Sequence, residues 1–165
     1  MNERSITQKI AVSGLVMAAY LVIMYLTQGF AFGQYQIRLA TSLYALSALY
    51  PFLILPLGLS NLLSNTLMGG LGLFDMLGGF LVGIITSTVI FLIQRFKLSD
   101  SLIAFPIIFG PGLIVPIWLS MLLHLPYFLL ALNLCIGQIV PGILGVLIVK
   151  KMRKADIHQQ MGGGK

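Results

Sequence analysis

Glutamate and cysteine each occur once in this 165-residue sequence, and histidine occurs twice. The lone Cys135 excludes an internal disulfide and a multi-thiolate metal site. With Glu3 as the only glutamate, and His124 and His158 as the only histidines, no His-Glu-x-x-His zinc motif exists. A Gly-x-Ser-x-Gly nucleophile elbow is also missing. The terminal Gly162-Gly163-Gly164-Lys165 imitates the end of a phosphate loop but lacks that motif's earlier glycine. The chain is therefore expected to be no enzyme, to carry no cofactor, and not to hydrolyse ATP by itself. Charge is scarce too. Only 8% of residues are charged, against about a quarter in a soluble domain. Between Ile10 and Gln94 the only ionised residues are Arg38 and Asp75, and between Ser101 and Val149 there is none. That scarcity excludes a disordered region, a secreted disulfide scaffold, a nucleic-acid binder and an ordinary cytosolic enzyme. An integral membrane protein remains.

What is present is apolar: 58% of the chain. The apolar runs are continuous, as from Leu15 to Leu26, where barrel strands would alternate. The expected fold class is an all-α membrane protein, a six-transmembrane-helix bundle. Six helices of about 20 residues fit between residues 6 and 149. The punctuation predicts spans at Ile6–Gln28, Ile37–Tyr50, Leu57–Met68, Leu73–Gln94 and Leu102–Leu123, with a sixth from Pro126 to Val149. Pro51 and Pro56 bracket the turn into the third span, and a glycine run at 69–72 precedes the fourth. Pro106, Pro111 and Pro116 are expected to kink or break the fifth. Residues 1–150 form one domain, followed by a mobile tail over 151–165.

Six spans place Arg4, Lys9, Arg95, Lys97, Lys150, Lys151, Arg153 and Lys154 on one side, which the positive-inside rule makes cytoplasmic. Both termini are then cytoplasmic. An odd count would split these clusters. The net charge of +6 suits this topology and anionic lipid, and needs no nucleic acid. The basic, then apolar, N-terminus resembles a secretory signal, but the chain stays apolar, so a retained span is expected.

Polar groups gather at the outer ends. Gln34, Gln36 and Arg38 follow the first span, Asn61 and Asn65 stand one turn apart in the third, and Asp75 opens the fourth. His124 falls in the last outer loop, and Asn133 and Gln138 in the sixth span. Polar groups in hydrocarbon cost several kcal/mol unless paired, so a hydrogen-bonding pocket near the outer surface is expected. Alternatives stand beside this one. Asn61 and Asn65 also suit interhelical bonding. Arg38 and Asp75 suit either a mutual pair or ligand contact. Asn133 and Gln138, five apart, share no helix face, so at least one is expected to be structural. Trp118, Tyr44, Tyr50 and Tyr127 suit an interfacial belt, and Tyr35 suits stacking on a flat ligand. Ala11, Gly14 and Ala18 give the first span a small-residue face open to a partner helix; Gly79 and Gly83 suit packing inside the bundle.

The stretch from Gly33 to Arg95 resembles the queuosine-precursor transporter family, QueT, whose members are substrate-binding (S) components of energy-coupling factor importers. The resemblance rests on Gly33-Gln34-Tyr35-Gln36-Ile37-Arg38, on the segment from Leu57 to Asn65, and on Gly70-Leu71-Gly72-Leu73-Phe74-Asp75. Phe109-Gly110-Pro111 and Gly137-Gln138-Ile139 continue it. Two positions depart from the family's pattern. Thr41 stands where an acid follows the arginine, and Gln138 where the last span carries one. The resemblance implies a multi-pass protein of the prokaryotic cell membrane that captures a 7-deazapurine base on the outer side. Its partners would be a transmembrane coupling protein (EcfT-like), reached through Ala11, Gly14 and Ala18, and two cytoplasmic ATPase subunits. The substrate-binding set it implies is Gln34, Tyr35, Gln36, Arg38, Thr41, Asn61, Asn65, Asp75, Asn133 and Gln138. Another small nutrient, such as a vitamin or amino acid, and a non-transport scaffold are the alternatives.

Overall fold

The structure, a computed structural model, describes residues 5–68 and 70–162, with side chains through Ala155. Helix α1 (Ile6–Leu26) begins at a reciprocal cap: Ser5 Oγ accepts from the Gln8 amide and Gln8 Oε1 accepts from the Ser5 amide. A single turn, α2 (Gln28–Ala31), leads into the first loop. Then come a 3₁₀ helix at Leu39–Ala48, a 3₁₀ turn at Pro51–Leu53, α3 (Ile54–Met68) and α4 (Leu73–Arg95). A 3₁₀ turn at Asp100–Ile103 opens α5 (Ala104–Leu123), and α6 (Tyr127–Gly137) and α7 (Ile139–Gly162) complete the chain. Among the described residues, five helical stretches are long and apolar enough to cross a membrane: Ile6–Leu26, Pro51–Met68, Leu73–Arg95, Asp100–Leu123 and Tyr127–Ala155.

The expected second span differs in kind. Its ten core residues wind as a 3₁₀ helix, where runs beyond three or four residues are uncommon. Three hydroxyls stabilise the winding. Ser42 donates to the Leu39 carbonyl at 2.7 Å, while the single protons of Thr41 and Ser47 are shared between the carbonyl three residues back and a second acceptor, Gln138 Oε1 for Thr41 and the Ser87 carbonyl for Ser47. At about 2.0 Å per residue the segment extends about 20 Å, where an α-helix would reach about 15 Å. It starts beside Arg38, at the end of the bundle that holds the first loop, and leads to the start of α3 at the opposite end.

The prolines do not break the helices that hold them at 56, 111 and 116. Pro56 sits inside the first turn of α3, where its missing N–H has no intrahelical partner to lose. Helix α5 runs unbroken through Pro111 and Pro116, because neighbouring helices hold a backbone that has lost two hydrogen bonds. The break falls instead in the last span, at Gln138. Pro141 has no N–H for the Gly137 carbonyl, and the ladder resumes with the Gly142 amide on the Gln138 carbonyl at 2.9 Å. Helix α7 continues past Val149 to Gly162. Part of the expected mobile tail, the side chains from 156 and the whole of 163–165, lies outside the described residues.

The bundle is apolar outside and buries its polar groups beside an apolar core of residues such as Met24, Leu53, Leu57, Ile90 and Ile107. Leu15, Leu81, Ile117, Phe128 and Leu132 face outward. Arg38, Thr41, Asn61, Asn65, Asp75, Asn133 and Gln138 are buried. Lipid, which satisfies no polar group, selects this arrangement. Tyr44, expected at an interface, is wholly buried against Tyr20, rings stacked at 6.0 Å. Gly83 lies against the Gly58 backbone and Gly79 against Asn61 and Asn65, so both serve packing within the bundle.

At one end, Arg153 pairs with Asp100 at 3.4 Å and donates to Gln94, while Lys150 donates to Ser101 at 3.3 Å. These contacts tie α7 to the turn carrying Arg95 and Lys97. The opposite end gathers the first loop, the turn before α4 and the turn between α5 and α6.

Candidate functional site

A cavity of about 480 Å³ opens at that opposite end, a volume within the range of small-molecule sites. One wall is the first loop: Phe32, Gly33, Gln34 and Gln36. The other is a leucine surface on α5 and α6, including Leu119, Leu123, Leu130 and Leu134. Asp75 and Asn133 supply polar groups between them.

Asp75 is held from two sides. Its Oδ1 accepts from Trp118 Nε1 at 3.0 Å, and its Oδ2 accepts from the Leu71 amide at 3.2 Å. The residue is 4% exposed, yet lines the cavity. A carboxylate offers about four lone-pair sites, so two remain for other donors. The Gly70-Leu71-Gly72 turn aims the Leu71 amide, with Gly72 at φ 92°, a value natural only to glycine. Gly78 admits the indole; a Cβ there would lie 2.7 Å from the Trp118 ring.

The other sequence-derived candidates stand behind the cavity wall. Arg38 is 5% exposed and forms no ion pair among the described residues. Its Nε donates to the Ala31 carbonyl at 3.3 Å, its Nη1 to Asn61 Oδ1 at 3.2 Å, and its guanidinium lies 4.8 Å from the Phe32 ring centroid. The alternative of an Arg38–Asp75 pair is therefore not what forms. Asn61 Nδ2 donates to Tyr44 Oη at 2.8 Å, and Tyr44 meets Tyr20 Oη at 3.3 Å. Asn65 Nδ2 donates to the Asp75 carbonyl at 2.9 Å, while its Oδ1 is buried without a partner. Thr41 and Gln138 bond to each other. Of the pair five apart, Asn133 lines the cavity and Gln138 does not. Tyr35 turns its side chain outward, 45% exposed. Ala11, Gly14 and Ala18 are exposed along α1.

Sequence reasoning missed Phe32, the leucine wall, the Leu71 amide and the role of Trp118. The signal for Trp118 was its singularity, but an indole near a helix end reads equally well as a membrane-interface anchor.

These features define a multi-pass helical membrane protein with a small-molecule cavity at one end of its bundle. The sequence profile described as QueT transporter matches residues 10–154, and the chain belongs to that family. Its role is the transport of a small substrate. No curated protein and no solved structure matches the chain.

Proposed function

We propose that this chain is the substrate-binding subunit of an ATP-driven energy-coupling factor importer, capturing a queuosine precursor or related 7-deazapurine base at the outer face of a prokaryotic cell membrane. The observation that carries the proposal is Asp75, a buried carboxylate oriented by Trp118 and Leu71 inside the cavity. Its free lone pairs suit the paired N–H donors of an aminopyrimidine edge. Gln34, Gln36 and Asn133 add carboxamides that both donate and accept. A site built on such bonds rejects analogues lacking them, because its own polar groups would be left unpaired.

The 3₁₀ segment is read as the second of six crossings. Both termini and the basic clusters then face the cytoplasm, by the positive-inside rule, and the cavity faces outward. Arg38, Thr41, Asn61, Asn65 and Gln138 act by holding the cavity wall, and Tyr35 sits at its rim. The exposed Ala11, Gly14 and Ala18 face suits close approach of a transmembrane coupling protein, with two cytoplasmic ATPases supplying energy.

Thermal unfolding of the purified protein tests this reading, since a ligand bound only by the folded state raises apparent stability. 7-Deazaguanine is expected to raise the midpoint, and Asp75→Asn to abolish the rise. Stabilisation by a vitamin or amino acid alone would replace the base with another nutrient, the second reading that the leucine wall favours. No stabilisation by any of these compounds would overturn the proposed ligand classes.

A further inference from the structure

The amide of Gln138 is occupied at both ends. Its Nε2 donates to the Gln36 carbonyl at 2.9 Å, and its Oε1 accepts from the Thr41 hydroxyl at 2.7 Å. The Gln36 carbonyl can only accept, which fixes the orientation of the amide. Gln138 is 1% exposed, and its side chain does not line the cavity, whereas Gln36 does. We propose that Gln138 is a positioning residue: it latches the first loop over the cavity and sets the rate at which ligand enters and leaves, without touching the ligand. This deepens the reading of the cavity as a substrate site and rests on it.

Three further observations bear on the latch. Gln36 has φ 44°, a left-handed conformation that a residue with a side chain holds only where its surroundings enforce it. The loop adds bonds of its own, Gln36 amide to Gly33 carbonyl and Ile37 amide to Phe30 carbonyl, both 3.1 Å. Those bonds shape the loop, and among the described residues Gln138 supplies the hydrogen bond that ties its tip to another helix. Beside it, Gly137 presents a bare backbone to the Tyr35 carbonyl, where any Cβ would overlap the oxygen. Finally, the latch sits where the last span is interrupted. Pro141 leaves the Gly137 carbonyl outside the helical ladder, so Gln138 caps α6 at the one point of that span where the backbone is released. One side chain thereby joins the loop, the 3₁₀ helix and the α6–α7 break.

Cysteine labelling tests the latch without any ligand. In a Cys135→Ala background, Leu130→Cys places a thiol on the cavity wall, at a site 6% exposed, and Leu98→Cys places a control at the opposite end, at a site 49% exposed. A polar maleimide reports how often each thiol is reached. Gln138→Leu is expected to speed modification at 130 about tenfold, as loss of buried hydrogen bonds would, and to leave 98 unchanged. Thr41→Val is expected to act in the same direction, with Thr41→Ser restoring the slow rate. An unchanged rate at 130, or an equal rise at both thiols, overturns the latch. If Gln138→Leu does not fold, the Thr41→Val and Thr41→Ser pair decides by the same criteria. Because no substrate is used, failure here leaves the transport reading standing, and failure of base binding leaves the latch standing.

Discussion

Trp118 on α5 and Asp75 on α4, 43 residues apart in sequence, meet through a 3.0 Å hydrogen bond from the indole N–H to the carboxylate. The only tryptophan of the chain therefore touches the carboxylate that lines the cavity. An N–H bond to a charged acceptor is worth about 1.5–3 kcal/mol, and here it orients as well as stabilises. Ligand binding at Asp75 is expected to shift the intrinsic fluorescence of the protein, since Trp118 is its sole indole. Titration with 7-deazaguanine should change the emission of the native chain. Asp75→Asn should bind at least about tenfold more weakly, because its amide N–H faces the donors that a carboxylate accepts.

Thr41 and Gln138 are the two positions that depart from the acid-bearing pattern the sequence resembles, and they face each other across 97 residues at 2.7 Å. Acids at both would set two carboxylates in one buried contact, where like charges oppose ionisation. Thr41→Glu and Gln138→Glu are therefore expected to be non-additive. The double variant should lose about 1 kcal/mol more than the two single losses combined, read from unfolding in detergent. Because neither side chain lines the cavity, the same variant should keep its ligand preference in a binding panel; a shift toward amine-bearing ligands would place these positions in contact with the ligand.

Tyr44 lies behind the cavity, between Asn61 and Tyr20. Tyr44→Phe keeps the ring and removes the hydroxyl, leaving Asn61 Nδ2 without its acceptor. A loss of about 1–3 kcal/mol of stability is expected. The cavity walls are untouched, so affinity for a bound base should change far less than stability does. Parallel unfolding and binding measurements check the contrast.

Gly14 on α1 faces outward, and no atom lies within 4 Å of where its Cβ would stand. Gly14→Leu should leave the isolated protein within about 0.5 kcal/mol of the original. In the proposed importer it should block approach of the coupling protein. The check is co-purification with that partner set beside the unfolding midpoint; full recovery of the complex would remove this face from the docking surface.

The helices were legible because lipid imposes one strong rule, an unbroken apolar run, and the runs bounded by Leu73 and by Leu123 ended close to where they were expected. The winding of the second segment was not, although Arg38, Thr41, Tyr44 and Ser47 recur at intervals of three, the 3₁₀ repeat. An apolar background hides such a signal, since leucine and alanine fit either helix. Gln34, Gln36, Asp75 and Asn133 were legible as cavity residues because they are polar where polarity is costly. The same reasoning could not separate them from Arg38, Asn61 or Gln138, because burial among neighbours satisfies a polar group as well as a ligand does. Phe32 and the leucines were invisible for the opposite reason: in this composition another apolar residue marks nothing.

The ten residues from Leu39 to Ala48 bond to four different neighbours: Thr41 to Gln138, Tyr44 to Asn61 and Tyr20, and Ser47 to the Ser87 carbonyl. In a threefold winding each residue advances the chain by about 120°. Deleting or inserting a single residue there would swing every later side chain a third of a revolution away from its counterpart. The length of the segment is as constrained as the pitch of a screw.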